Sequence, residues 1–373
     1  MARNNRGHSK DQNPDMKKVL IIRPDGIGDF VIFSAVLEEY AKIFSGHQID
    51  ILCNPSTKDF VVPIPFISNV FTFDVRCLFR KKFLFNTFIF WIWSLFTRYD
   101  ILIYPVYSRT CNGDQAAKWI KAKEKIAFDG DDSLAPLVER TKRNKYFTKI
   151  IISKRGPINE IERNLEFVKA LGSQLRADEL ITKLWFNNFD ADDSNQILQN
   201  NGLILKEYIC IFPGANFTQK YWVVNKWGDL INKILKHYPK KRIVLLGGVS
   251  DKQINSEIQK LIVDKGTCTN LCGQLNLRVL AKVIESANLL ISLDSAAVHI
   301  AAAVKTPNLC IMGGGHFERF YPYGDMLRNK IVYKKMDCFG CNWKCVFEYP
   351  KCIIDISVTE VYGLIEGILH YGR

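Results

Sequence analysis

Short runs of Val, Ile and Leu recur along the chain, each followed by a turn and then by a polar stretch with helical spacing. The runs at 19–22, 48–53, 70–73 and 100–104 predict strands in the first half. Those at 208–212, 242–246, 270–273, 289–293 and 308–312 predict strands in the second. Between them, Phe30, Phe33, Val36, Leu37 and Tyr40 share one helical face, and residues 157–171 form an amphipathic helix stopped by Gly172. Further helices are predicted at 228–237, 250–265 and 277–286, and one running on to residue 303. Strands that alternate with helices in both halves predict an α/β protein of two doubly wound parallel sheets. The polar stretch 175–201 holds the break between them. The expected layout is a polar tail at 1–16, a first domain at 17–180, a linker at 181–205, a second domain at 206–355 and a last helix at 356–373. Ser357 and Glu360 open that helix as a capping box.

One stretch departs from the alternation. Residues 79–98 carry an apolar centre, 83–96, of 14 residues, too short to span a bilayer. It has two readings. One is a helix buried in the core. The other is a helix lying in a membrane interface, with Trp91, Trp93 and several Phe inserted and Arg80, Lys81 and Lys82 on anionic headgroups.

Composition narrows the partners. With 373 residues, 47% of them hydrophobic, each half can bury a core, and the net charge of +13 calls for an anionic partner or serves solubility. No zinc-finger, RNA-recognition or helix-turn-helix pattern points to nucleic acid. The tail lacks the apolar segment of a signal peptide. Cys53, Cys77, Cys111, Cys210, Cys268 and Cys310 are scattered in apolar surroundings, as reduced buried thiols of a cytosolic protein are. Cys338, Cys341, Cys345 and Cys352 are clustered. They suit a tetrahedral zinc or iron site of structural character, or else four reduced thiols or a labile disulfide.

The candidate chemistry gathers at strand ends. Gly26 and Gly28 let another molecule approach the backbone after the first strand, and Asp29 stands at a helix start, where its charged form is favoured. It is either a carboxylate facing a crevice or a helix cap. In the second half, backbone N–H groups at Gly314 and at Ser295 and Ala296 are placed to cradle a diphosphate that Lys220 would neutralise. Asp251 follows Gly247-Gly248 and is a candidate acceptor for ribose hydroxyls or a helix-start acid. Arg109, in the loop after the fourth strand, is a candidate for the acceptor or a solvated arginine.

These motifs, in this order, resemble glycosyltransferase family 9, the lipopolysaccharide heptosyltransferases. The resemblance covers nearly all of the chain after residue 16. It rests on the strand and Gly26-Ile27-Gly28-Asp29, on Tyr99-Asp100-Ile101-Leu102-Ile103, and on Pro213-Gly214 with Lys220-Tyr221-Trp222. It continues through Gly247-Gly248, Cys272-Gly273 and Leu280-Ala281 to Asp294-Ser295-Ala296-Ala297-Val298-His299. Ala296 stands where the family has glycine. The resemblance implies a GT-B fold, with two Rossmann-like domains facing across a cleft and the last helix packing back on the first domain. It implies an inverting transfer of a sugar, heptose foremost, with no metal needed for catalysis. The donor would be a nucleotide sugar, ADP-heptose favoured, and the acceptor a lipid-linked or surface glycan at the anionic inner face of the cytoplasmic membrane. Carried over, Asp29 is the general base, and Lys220 steadies the leaving diphosphate, with Lys226 as its alternative. Gly28, Asp251, Asp294, Ser295, Ala296, His299 and Gly314 fall on the donor side. His299 is equally a core histidine. A sugar-nucleotide epimerase and a non-catalytic glycan-binding or metal scaffold are the competing readings.

Overall fold

The computed structural model describes residues 16–75, 84–154, 156 and 158–371, and the side chains of all these but 370 and 371. All of the predicted tail but Met16 lies outside them, as do Cys77, Arg80, Lys81, Lys82 and Phe83. The chain divides into two units, Met1–Leu180 and Ile181–Arg373.

The first unit holds β1 (Lys18–Arg23), β2 (Gln48–Cys53), β3 (Asn69–Thr72), β4 (Arg98–Tyr104), β5 (Lys121–Phe128) and β6 (Lys149–Ile151). They run parallel in the order β3-β2-β1-β4-β5-β6. Its helices are α1 (Ile27–Phe33), α2 (Leu37–Ile43), α3 (Lys58–Val61), α4 (Leu84–Phe96), α5 (Cys111–Trp119), α6 (Leu137–Arg143) and α7 (Glu160–Ala170). The helix predicted from Phe30 is broken between α1 and α2 by a tighter turn over Ser34–Val36, where the Ser34 hydroxyl donates to the Val31 carbonyl at 2.6 Å. Val19, Leu20, Ile21 and Ile22 are fully buried, as a central parallel strand covered on both faces requires. Asp50 on β2 clasps this half of the sheet. It accepts hydrogen bonds from Asn69 on β3 at 2.9 Å and from the Tyr99 hydroxyl on β4 at 3.0 Å.

The second unit holds β7 (Tyr208–Phe212), β8 (Arg242–Leu245), β9 (Cys268–Asn270), β10 (Leu289–Leu293), β11 (Asn308–Ile311) and β12 (Asn329–Val332). They too are parallel, in the order β12-β11-β10-β7-β8-β9. Its helices are α8 (Asn188–Asn200), α9 (Val224–His237), α10 (Lys252–Leu261), α11 (Leu277–Ser286), α12 (Ala296–Ala303), α13 (Lys351–Ile354) and α14 (Val358–Tyr371). Numbered from its own first strand, the second sheet repeats the order of the first. Each is a Rossmann-like layer whose strand order reverses beside the first strand, between β1 and β4 and between β7 and β10. Ligands of such sheets bind outside the carboxyl ends at that reversal, because the flanking helices leave to opposite faces there.

Four expectations change. First, β5, β6 and β12 add to the predicted strands. The leading half of β5 is Lys-Ala-Lys-Glu-Lys with its charged ends in solvent, so it shows no apolar run. Second, much of the predicted linker is α8, opened by a capping box of Asn187 and Asp190 and fixed to α11 by an Arg278–Asp190 ion pair at 2.7 Å. Third, α14 was expected on the first domain. Its Val361, Tyr362, Ile365 and Leu369 instead enter the second unit's own core beside Trp222 and Trp227 of the β7–α9 segment. Each such aliphatic side chain contributes roughly 1.5–3 kcal/mol when fully buried. Fourth, α4 is not a core helix. Of its side chains only Phe90 and Ser94 are buried.

Candidate active site

In the first unit the chain leaves β1 through Pro24, Asp25 and Gly26, and α1 begins at Ile27 with Asp29 in its first turn. The four residues that follow Asp29 are buried, so packing fixes the helix while Asp29 and Gly28 stay half-buried at the carboxyl end of the sheet. The turn is braced by Arg23, which is almost wholly buried. Its guanidinium donates to the Pro105 carbonyl after β4 at 2.8 Å, pairs with Asp25 at 2.8 Å and lies over the Phe33 ring. Arg23 thus ties together the two strand ends that flank the reversal. No pattern in the sequence marks this role, since its partner lies 82 residues away.

The loop after β4 carries Arg109. Arg109 is 0% exposed. It pairs with Asp114 through two nitrogens, at 2.8 and 3.1 Å, and donates to the Phe128 carbonyl and to Asn144. Every direction of its fork is taken inside the protein, which removes it as an acceptor ligand. Arg143 shares the same Asp114 at 3.5 Å and touches the Cys111 sulfur at 2.8 Å, so Cys111 is half-buried rather than buried. Beside it Lys142, Arg143 and Lys145 open onto a pocket of about 480 Å³ whose one carboxylate is Glu139. Asn112 and Gln115 also line it. The sequence signal for this pocket is the basic run 140–149, which reads equally as a solvated face.

In the second unit Lys220 and Asp294 come together from the loops after β7 and β10. Lys220 is only 9% exposed. Its ammonium donates to the Asp294 carboxylate at 2.6 Å and to the Asp294 carbonyl at 3.0 Å, and lies 5.0 Å from the Trp343 ring centre. Ser295 follows as the N-cap of α12, accepting the Ala297 N–H at 3.3 Å, and Ala296 is the first helical residue. A cation and an eight-residue helix N-terminus therefore meet at the second reversal point. Lys226, the alternative cation, is committed elsewhere, since it donates to the Ile354 and Ile356 carbonyls at 2.5 and 2.9 Å.

The remaining donor-side candidates are less open. Asp251 is buried and accepts the Gly248 N–H at 2.8 Å, and burial pushes its carboxyl above the usual range. A Cβ on Gly214 would stand 2.4 Å from it, so glycine is what lets the β7 loop close over this carboxylate. His299 is a core residue. Its ring meets the Tyr323 hydroxyl at 3.1 Å and stacks on that ring, with Tyr321 edge-on. Gly314 is also withdrawn. Its N–H goes to the Cys352 sulfur at 3.4 Å, its carbonyl accepts the Gly340 N–H at 2.8 Å, and the Phe339 ring covers its α-carbon. The segment that covers it carries the clustered cysteines, so one stretch after β12 accounts for both.

Cys338, Cys341, Cys345 and Cys352 line one nearly closed cavity of about 10 Å³, room for a single atom-sized occupant. Their soft sulfurs are the donor set that zinc or iron prefers. Among the described residues, however, no three Cys, His, Asp or Glu groups converge as ligands of one ion. As placed, the four fit the reading of free thiols rather than ligands of one ion. The segment instead acts through packing, with the Trp343 ring set against Gly313 and Gly315 and beside Lys220.

Residues 117–345 match the model of glycosyltransferase family 9 (heptosyltransferase). A lipooligosaccharide heptosyltransferase 2 of Campylobacter jejuni is 23% identical over 186 residues, 48% of this chain and 56% of that protein. The matched stretch thus spans little more than half of that relative's length. Among solved structures, a family 9 glycosyl transferase from Veillonella parvula superposes with a TM-score of 0.75 at 16% identity, covering 95% of this chain and 97% of that one. The ADP-heptose lipopolysaccharide heptosyltransferase II of Escherichia coli does so with a TM-score of 0.71 at 16% identity, covering 95% and 99%.

Proposed function

The chain belongs to glycosyltransferase family 9, and from that premise we propose that it transfers a heptose from ADP-heptose to an anionic, lipid-linked core glycan at the cytoplasmic face of the inner membrane. The observation that carries the reading is the Lys220–Asp294 pair at the start of α12, on the carboxyl edge of the second sheet. It supplies a cation and backbone donors where the leaving diphosphate gains charge. The donor named for the E. coli structural neighbour is ADP-heptose.

Asp29 is the group we assign as base. Its carboxylate takes the proton of the acceptor hydroxyl as that oxygen attacks the anomeric carbon. The bond to the diphosphate breaks on the opposite face, so one displacement inverts the configuration. The electron pair leaves on the diphosphate, whose added charge Lys220 and the first N–H groups of α12 offset. Since Lys220 supplies the counter-charge, no divalent ion is assigned to this step, and turnover should persist in EDTA. On the acceptor side, Lys142, Arg143 and Lys145 take the place first given to Arg109. Lys142 and Lys145, beside an Arg143 that pairs with Glu139 at 2.9 Å and Asp114 at 3.5 Å, suit a phosphorylated or carboxylated sugar.

Two experiments test this. In a coupled assay with ADP-heptose and core glycolipid, Asp29→Asn should lower kcat by roughly 10²–10⁴-fold while ADP affinity stays within a few-fold. An undiminished kcat removes Asp29 from the chemistry, and a product of retained anomeric configuration by proton NMR overturns the single displacement. Lys142→Ala/Lys145→Ala should raise the acceptor KM and leave the donor KM unchanged. A rise in the donor KM alone would move the pocket to the other substrate.

A further inference from the structure

The largest mismatch between surface and solvent is on α4 (Leu84–Phe96). Seven of its large apolar side chains, Leu84, Phe85, Phe88, Trp91, Ile92, Leu95 and Phe96, are exposed, with Phe85 at 74% and Phe96 at 84%. They are not scattered. At about 100° per residue they fill one unbroken arc of roughly 140°. The buried Phe90 and Ser94 lie on the far side, and Trp93 packs there on Phe71, Phe73 and Phe90. No residue of the helix is charged. A helix amphipathic in the ordinary sense shows its polar face to water. This one turns its other face to the sheet, and its apolar stripe is the outer surface.

We propose that this stripe is a membrane-docking face that lies in the plane of an anionic bilayer, with its rings and aliphatic chains among the acyl chains just below the headgroups. No helix among the described residues is long and apolar enough to cross a membrane. At 13 residues α4 is about 20 Å long, a length that suits lying in the interface. Charge selects the occupant. Arg98, just past the helix at the start of β4, is exposed and pairs in sheet register with the exposed Lys121. In the sequence Arg80, Lys81 and Lys82 precede the helix. Cations beside an apolar stripe match anionic headgroups. They oppose a second copy of the chain, because a two-fold pairing of the stripes would bring the cations together. Residues 1–15 are polar and offer no apolar cover for the stripe.

The inference rests on the inner-membrane placement proposed above and not on the transfer reaction, and its test holds neither donor nor acceptor. The full-length protein is mixed with vesicles of phosphatidylglycerol and phosphatidylethanolamine, or of phosphatidylcholine alone, and co-sedimented. The wild type should favour the anionic vesicles, and brominated acyl chains should quench a tryptophan signal that Trp91→Phe removes. Phe88→Glu/Leu95→Glu should weaken binding by about tenfold or more while circular dichroism and Tm hold. Both sites are already in water, so the variant should fold. Wild type that stays in the supernatant, or a variant that binds as well as wild type, overturns the proposal. So does light scattering that shows a wild-type dimer which the variant splits. The ADP-induced Tm shift, read on the same samples, reports separately on the donor site.

Discussion

Lys220 and Asp294 form a buried ion pair, and such a pair gives a specific mutational signature. Removing one partner strands the other charge in the interior, at a cost of about 3–5 kcal/mol. Lys220→Met should therefore lower Tm and ADP affinity together. Lys220→Met/Asp294→Asn should restore Tm but leave ADP binding weakened by about 10- to 100-fold, the worth of one charge-assisted hydrogen bond. Calorimetry and thermal unfolding of the two variants separate the roles, and wild-type ADP affinity in the double variant would mean that Lys220 holds only Asp294. Both members stand in motifs readable from the sequence, as does Asp29. What could not be read is which charged residues are spent on one another. Arg109 and His299 are equally plausible as ligands until Asp114 and Tyr323 are seen to occupy them. Arg23 is silent for the converse reason, since its partner is a carbonyl on a strand that only the fold brings near.

Among elements, the edge of the first sheet nearest β2 has its own pH dependence. The donors on Asp50 are the neutral groups of Gln48, Asn69 and Tyr99, and burial is the largest influence on it, so its carboxyl lies above the ordinary range. A raised carboxyl in the folded state means that its contribution to stability is fullest in acid and is lost as pH rises through the raised value. The Tm of wild type minus that of Asp50→Asn should therefore fall as pH rises from the ordinary carboxylate range upward. A flat or rising difference would show that the clasp holds its charge at no cost. The strands around this clasp were legible because β1, β2 and β4 are buried apolar runs. β5 was not, because its charged half stands in solvent, and α8 was hidden in a polar stretch whose helix is fixed by a cap and one ion pair. For α4 the sequence showed an apolar helix with basic flanks. Which face met the sheet depended on Phe71 and Phe73, residues on or beside β3, a strand short enough to leave the rest of the helix uncovered.

At the scale of the molecule, two sheets of the same strand order divide the chain at Leu180 and Ile181, and the positive charge of the whole suits the anionic substrates and membrane proposed above. Within each unit every strand pairing is parallel, so the sheet must wait for crossovers and closes through contacts distant in sequence. The placement of α14 makes the two units unequal in time. All six strands of the first sheet have been made once residue 151 is joined, and its last helix is made by residue 170. The second core needs Val361, Tyr362, Ile365 and Leu369 from the end of the chain. Trp222 and Trp227, made early in that unit, therefore lack their final cover until α14 is joined, an interval of order ten seconds at the usual pace of a ribosome. The first unit is positioned to fold on the ribosome. The second waits for α14, and its half-made core is where a chaperone would be needed.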